Sequence, residues 1–95
     1  MKIEPGDAVI LVLHTPREKL FGLLDEISTA GLYVRAIDLS YFDDWCSSIA
    51  EGEQYLPMSE YFLPMWRLER MMRDDGSPSM VEQFEDRTGK KLEDV

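Results

Sequence analysis

Apolar and polar positions change their period twice along the chain. Ala8-Val9-Ile10-Leu11-Val12-Leu13 is an unbroken apolar run rich in β-branched residues, which predicts a short strand. It is entered through the turn signal Pro5-Gly6-Asp7. It stops at Thr15-Pro16-Arg17-Glu18, because Pro16 has no N–H to offer a ladder. From Lys19 to Ile27 the period is two: Phe21, Leu23 and Ile27 fall on one face, Leu20, Gly22 and Leu24 on the other. Ser28-Thr29-Ala30-Gly31 reads as a hairpin connection, with Gly31 expected to supply a positive φ. A third strand, Leu32 to Leu39, sets Leu32, Val34 and Ala36 against Tyr33, Arg35, Ile37 and Leu39. Short connections make these three strands an antiparallel meander.

At Ser40 the period becomes helical. Phe42, Trp45, Cys46 and Ile49 stand at i, i+3, i+4 and i+7. Ser40 with Asp43 is expected to act as a capping box, Asp43 and Asp44 suit the first turn, and Gly52 is the expected stop. Glu51 to Glu60 is a polar connection containing Pro57. Tyr61 to about Arg73 reads as a fourth extended segment, with Pro64 permitting a bend into two strands. Its later part alternates Met65, Arg67, Glu69 and Met71 against Trp66, Leu68, Arg70 and Met72; the same residues are good helix formers, so a helix over Met65–Arg73 competes. After the turn Asp74-Asp75-Gly76-Ser77-Pro78, Ser79 with Glu82 predicts a capped last helix, with Pro78 expected at its first position. Met80 or Val81, Phe84 and Thr88 form its buried stripe, Gly89 ends it, and Leu92 and Val95 either pack or fray.

The expected fold class is therefore mainly β. It is a small curled or closed barrel made from an antiparallel meander, with one helix inserted between the third strand and the fourth and another at the carboxyl end. The stretch from Leu20 to Val34 resembles the first motif of Sm-like proteins, the fold of Hfq and the eukaryotic Sm proteins, with Gly22, Leu24 and Ile27 at the matching places. A glycine inside that strand lets a small barrel bend sharply. The likeness covers roughly residues 8–39 and extends to SH3-like barrels in general. It implies that fold and a ring-like self-association. It does not carry over an RNA site: the family's loop Asp and Asn correspond to Ser28 and Gly31 here, and its Arg-Gly pair has no counterpart, since Arg67 and Arg70 are followed by Leu68 and Met71. The family also usually places a helix before its first strand, where none fits here.

Length and charge narrow the reading. At 95 residues, with 44% hydrophobic and 11% aromatic residues, the chain suits one globular domain with a sufficient core. Nineteen acidic against ten basic residues give −9, which opposes a general electrostatic grip on nucleic acid or an anionic membrane. The apolar run Ala8–Leu13 is far too short to span a bilayer, and the first seven residues lack the cationic start of a signal peptide. One cysteine excludes an internal disulfide framework and a multi-cysteine metal cluster. A soluble cytoplasmic protein is expected.

Candidate chemistry is sparse. His14 is the only histidine, and a general base would need an orienting carboxylate, for which Asp38 or Glu18 could approach in space; Cys46 lies beside an apolar stripe, where a thiol serves as a small hydrophobe. Asp43-Asp44 and Asp74-Asp75 read as a helix start and a solvated turn rather than as metal ligands. No Gly-rich phosphate loop, zinc pattern or nucleophile elbow is present. No catalytic, cofactor or metal role is assigned, and no enzyme is expected. Two surfaces remain. Arg17, Lys19, Arg35, Arg67, Arg70 and Arg73 could gather into a nucleic-acid patch, although acids interleave with them. Tyr55, Met58, Tyr61, Phe62, Met65 and Trp66 hold more apolar bulk than one short strand can bury, and suit a partner or self-association surface. The expected function is non-catalytic binding, as a homo-oligomer or to a protein partner. An RNA-binding Sm-like ring is the alternative, and a small hydrolase or thiol protein using His14 or Cys46 comes third.

Overall fold

Apolar side chains on both faces of one strand demand cover on both sides, and the second strand has them. A computed structural model describes residues 2–95. The strands are β1 (Ala8–Leu13), β2 (Glu18–Ile27), β3 (Gly31–Asp38), β4 (Ser59–Pro64) and β5 (Leu68–Arg73); the helices are α1 (Phe42–Ala50) and α2 (Met80–Thr88). Single 3-10 turns cover Leu39–Tyr41, Met65–Arg67 and Leu92–Asp94. The strands form one antiparallel sheet in the order β4-β3-β2-β1-β5.

The inner face buries Val9, Leu11, Leu13, Leu20, Leu24, Leu32, Val34, Ala36 and Leu63. The outer face of β2 and β3 presents Phe21 and Ile37 to the helices, where Phe42, Trp45, Cys46, Ile49, Met58, Phe84 and Leu92 complete a second core. Trp45 lies at its centre. Its indole stacks obliquely on Phe84 at 4.8 Å, and its N–H donates to the Leu56 carbonyl at 2.7 Å, so its one polar atom is satisfied. Arg87 ties the helices together, donating to the Asp43 carboxylate at 2.9 Å and to the Ser47 hydroxyl at 3.2 Å.

The sheet is strongly curled. A flat sheet of five strands would hold its edges at least ~19 Å apart. The 3-10 turn joining β4 to β5 advances only about 8 Å from Pro64 to Leu68. His14 donates to the Arg67 carbonyl and Met65 to the Ala30 carbonyl, both at 2.9 Å, which locks this corner to the rest of the sheet. Curling stops short of closure: among the described residues β4 pairs only with β3, and β5 only with β1. Of the curled and closed forms expected, the structure takes the open, curled sheet.

Gly22 sits where three strands overlap, opposite Val9 on one side and Ala36 on the other. A side chain there would run into the Arg35 carbonyl and the Ala36 backbone. Gly31, by contrast, does not take a left-handed φ. It is glycine because a side chain would collide with the Leu63 carbonyl and the Phe62 ring.

Other local expectations are also adjusted. Asp38, not Ser40 with Asp43, caps the turn before α1, accepting from the Ser40 N–H at 2.9 Å and its hydroxyl at 2.6 Å. α1 itself starts without a side-chain cap because that turn feeds straight into it. Met65–Arg73 is neither one strand nor one helix. Its first three residues turn and the rest is strand, with a register shift between Val12 and Leu13 that places Leu68 and Met71 together against the inner core. β4 begins at Ser59, inside the segment read as a connection. The Ser79–Glu82 capping box forms as expected, but Pro78 precedes the cap rather than following it. Asp74 reinforces the cap by accepting from the Met80 and Val81 N–H groups at 2.7 and 2.9 Å, so it is no idle turn residue.

Gly22→Ala is expected to lower stability by about 2 kcal/mol or more, since the clash is with backbone and not with a side chain that can swing away. Urea unfolding followed by circular dichroism reads it, and an unchanged midpoint would show that β2 and β3 can separate without cost.

Candidate functional site

The sheet's curl and its partial cover decide which side chains reach the surface. The aromatic and Met-rich stretch is divided by the period of β4. Met58 is buried in the outer core, which corrects its expected place on a surface. Tyr55 and Met65 are half-buried against the outer and inner cores respectively. The physical reason is capacity: two cores, not one, absorb the apolar bulk. Tyr61, Phe62 and Trp66 remain exposed, Phe62 by 46% and Trp66 by 62%. Four further large apolar residues are exposed: Leu56 at 67%, Tyr33 at 48%, Ile27, and Met72 on β5.

These side chains occupy different places. Phe62 faces Tyr33 directly across the β3–β4 ladder, with ring centroids 5.0 Å apart and planes tilted by 49°. Trp66 stands at the corner turn with its ring edge-on to His14 at 6.3 Å. Leu56 borders hollows beside Tyr41. The Tyr33–Phe62 pair lies in an open cavity of ≈ 450 Å³, whose lining includes Asp25, Glu26, Glu60 and Tyr61. The sequence pattern does not assign Tyr33 to this surface. Its outward direction follows from period two, but its partner is supplied by a strand that joins the sheet only after the helical insertion.

The six cations are brought together only in part, and most meet acceptors of this chain. Arg67 donates to the Glu18 carboxylate at 2.8 Å, the Pro16 carbonyl at 2.7 Å and the His14 carbonyl at 3.2 Å. Its side chain is only 16% exposed. It clamps the β1–β2 connection onto the corner turn, a use that a planar fork of donors fits and an ammonium does not. Arg17 lies 3.7 Å from Glu69, and Arg73 lies 4.0 Å from Asp7. Half-buried Arg35 donates to the Glu93 carbonyl at 3.4 Å. Lys19 and Arg70 are exposed, and Lys19 lines a separate cavity of ≈ 450 Å³ with Arg17, Glu18, Asp38 and Ser40. The two hydrogen bonds from Ser40 hold the Asp38 carboxyl below the ordinary aspartate range, so this hollow keeps a negative charge beside its cations.

The residues with chemical reach do not converge. Nδ1 of exposed His14 shares a hydrogen bond with the Thr15 hydroxyl at 3.0 Å, and among the described residues it has no carboxylate partner. Cys46 is fully buried on the inward face of α1. Burial pushes its thiol pKa up, with Arg87 pulling it down and Asp43 adding to the rise. Among the described residues no three His, Cys, Asp or Glu side chains stand together as a metal site would need, and no helix is long and apolar enough to cross a membrane.

No protein-family model, curated protein or solved structure matches this chain, so its own geometry carries the functional reading.

Two measurements test these assignments. Arg67→Ala is expected to lose about 1–2 kcal/mol of stability in urea unfolding, and Arg67→Lys to recover little of it, because the fork of donors is what the corner uses. Cys46 is expected to stay unlabelled by a disulfide-exchange thiol reagent in native protein at mildly alkaline pH and to react only as the protein unfolds. Rapid labelling without unfolding would reopen a chemical role for it.

Proposed function

We propose that this protein is a non-catalytic binding module on a partly open Sm-like or SH3-like barrel, and that β4 is the edge it binds with. The barrel reading is supported by the curl of the five strands and by Gly22 at their closest crossing. The binding reading rests on one contrast between the two sheet edges. An unpaired edge is a template for another chain, and proteins blunt it with charge, proline or cover. β5 carries Arg70, Arg73 and Glu69 along its six residues. β4 carries the exposed Tyr61 and Phe62 beside Tyr33, has Glu60 as its only charge, and meets proline only at its last position. Tyr, Phe and Trp are enriched where proteins meet. Strand addition is the mode such an edge allows: main-chain hydrogen bonds supply affinity and alternate side chains supply specificity.

The occupant is a protein, either a second copy of this chain or a segment of another. A single cysteine held as a buried neutral thiol suits a reducing cytoplasm. The internal engagement of Arg17, Arg35, Arg67 and Arg73 weighs against an RNA-binding ring.

Self-association is tested by sedimentation velocity across a wide range of protein concentrations. The expected result is a mass that rises with concentration in wild type and stays monomeric in Phe62→Glu. A strict monomer at millimolar concentration would remove the second copy as occupant. Assembly unchanged in Phe62→Glu would remove β4 as the edge used.

A further inference from the structure

The outer face of the sheet is covered unevenly. The helices pack over Phe21 and Ile37, but a strip running from β2 across β3 to β4 is left uncovered. In that strip Glu26 pairs with Tyr33 and Tyr33 pairs with Phe62, so one carboxylate and two aromatic rings lie side by side across three strands. Asp25 and Glu60 flank them in the same cavity. Asp25, Glu26 and Glu60 are all exposed, and among the described residues none of the three is in an ion pair. Residues 25–64 contain eight acidic residues and one basic residue, Arg35, which is turned to the Glu93 carbonyl. An aromatic platform ringed by unpaired carboxylates is complementary to cations carried on apolar stems.

We infer that β4 receives an extended protein segment with Arg or Lys at alternate positions. This rests on the reading of β4 as the binding edge and names the chemistry of what binds there. Residues of an added strand that stand opposite Glu60 and Phe62 are two apart, so both project onto the outer face. A cation opposite Glu60 meets its carboxylate directly. A cation opposite Phe62 lays its stem across the Phe62 and Tyr33 rings toward Asp25 and Glu26. Those rings lean on each other with centroids 5.0 Å apart, so a cation lies over their faces and not between them. The unpaired carboxylates set the sign: an acidic segment is repelled, as is a nucleic-acid backbone.

The test is fluorescence anisotropy of a labelled peptide alternating Thr and Arg, titrated with the full chain at concentrations where sedimentation shows a monomer. Two control peptides carry Glu in place of Arg, or Pro in place of Thr. The Arg–Thr peptide is expected to bind in a salt-sensitive manner, the Glu peptide not to bind, and the Pro peptide to bind much more weakly, because proline cannot supply the ladder N–H. Glu60→Gln and the double change Asp25→Asn with Glu26→Gln are each expected to weaken binding about three- to fivefold, the scale of exposed charge pairs. Phe62→Ala is expected to weaken it while leaving net charge unchanged. Circular dichroism checks that each variant keeps its fold, and amide NMR shifts are expected to localise to β4 and Tyr33. The inference is overturned if the Arg–Thr peptide fails to bind wild type. It is equally overturned if that peptide binds all variants alike, which would mean general attraction to an acidic protein. Failure to bind alongside Phe62-dependent self-association would sink the cationic segment and leave β4 standing as an edge for a second copy.

Discussion

A strand that is apolar on both faces governs this structure. β2 sends Leu20 and Leu24 to one side and Phe21 and Leu23 to the other, so neither face can be left to water. The inner face is enclosed by the sheet itself, which curls until its two edges are linked by a single 3-10 turn. The outer face is enclosed by α1 and α2. Both solutions meet at Gly22, the place where β2 and β3 approach too closely for a side chain. The alternative, a flat sheet with helices on both sides, would need more helix than this chain has.

Partial cover is what gives the molecule a functional side. Two nine-residue helices can shield only part of the outer face, and they shield the part around Phe21 and Ile37. The rest of that face, with Tyr33 and Phe62, is left beside an edge strand that lacks the charges guarding β5. Apolar exposure, a free edge and uncompensated carboxylates thus coincide through one cause, the limited reach of the helical layer. The proposed binding edge is not an added device; it is where the structure runs out of cover.

Charge is used unevenly for the same structural reason. The β1–β2 connection presents main-chain carbonyls at His14 and Pro16 that need donors, and Arg67 on the corner turn supplies them. Arg87 does similar work between the helices, and Asp74 at the start of α2. Many cations are thus consumed in holding the fold, whereas Asp25, Glu26 and Glu60 beside the exposed rings are in no ion pair among the described residues. In a chain of net charge −9, those three carboxylates line the same cavity as the exposed Tyr33 and Phe62 rings.

What the sequence determined by itself was local and periodic. The strands β1 to β3, the helix carrying Trp45 and the Ser79–Glu82 cap follow from spacing and capping chemistry that act over a few residues. The surplus of apolar bulk around Tyr61 and the need for glycine at position 22 were legible for the same reason. Long-range pairing decided the rest. Period two says that Tyr33 and Ile37 share a face, but only the register with β4 and the footprint of the helices make one exposed and the other buried. Composition says that Met58 and Phe62 are equally apolar, but the existence of a second core takes the first inside. Arg67 reads as a free cation until the curl brings the His14 and Pro16 carbonyls beneath it. Such outcomes depend on which distant backbone arrives at a given side chain, and a one-dimensional pattern does not contain that distance.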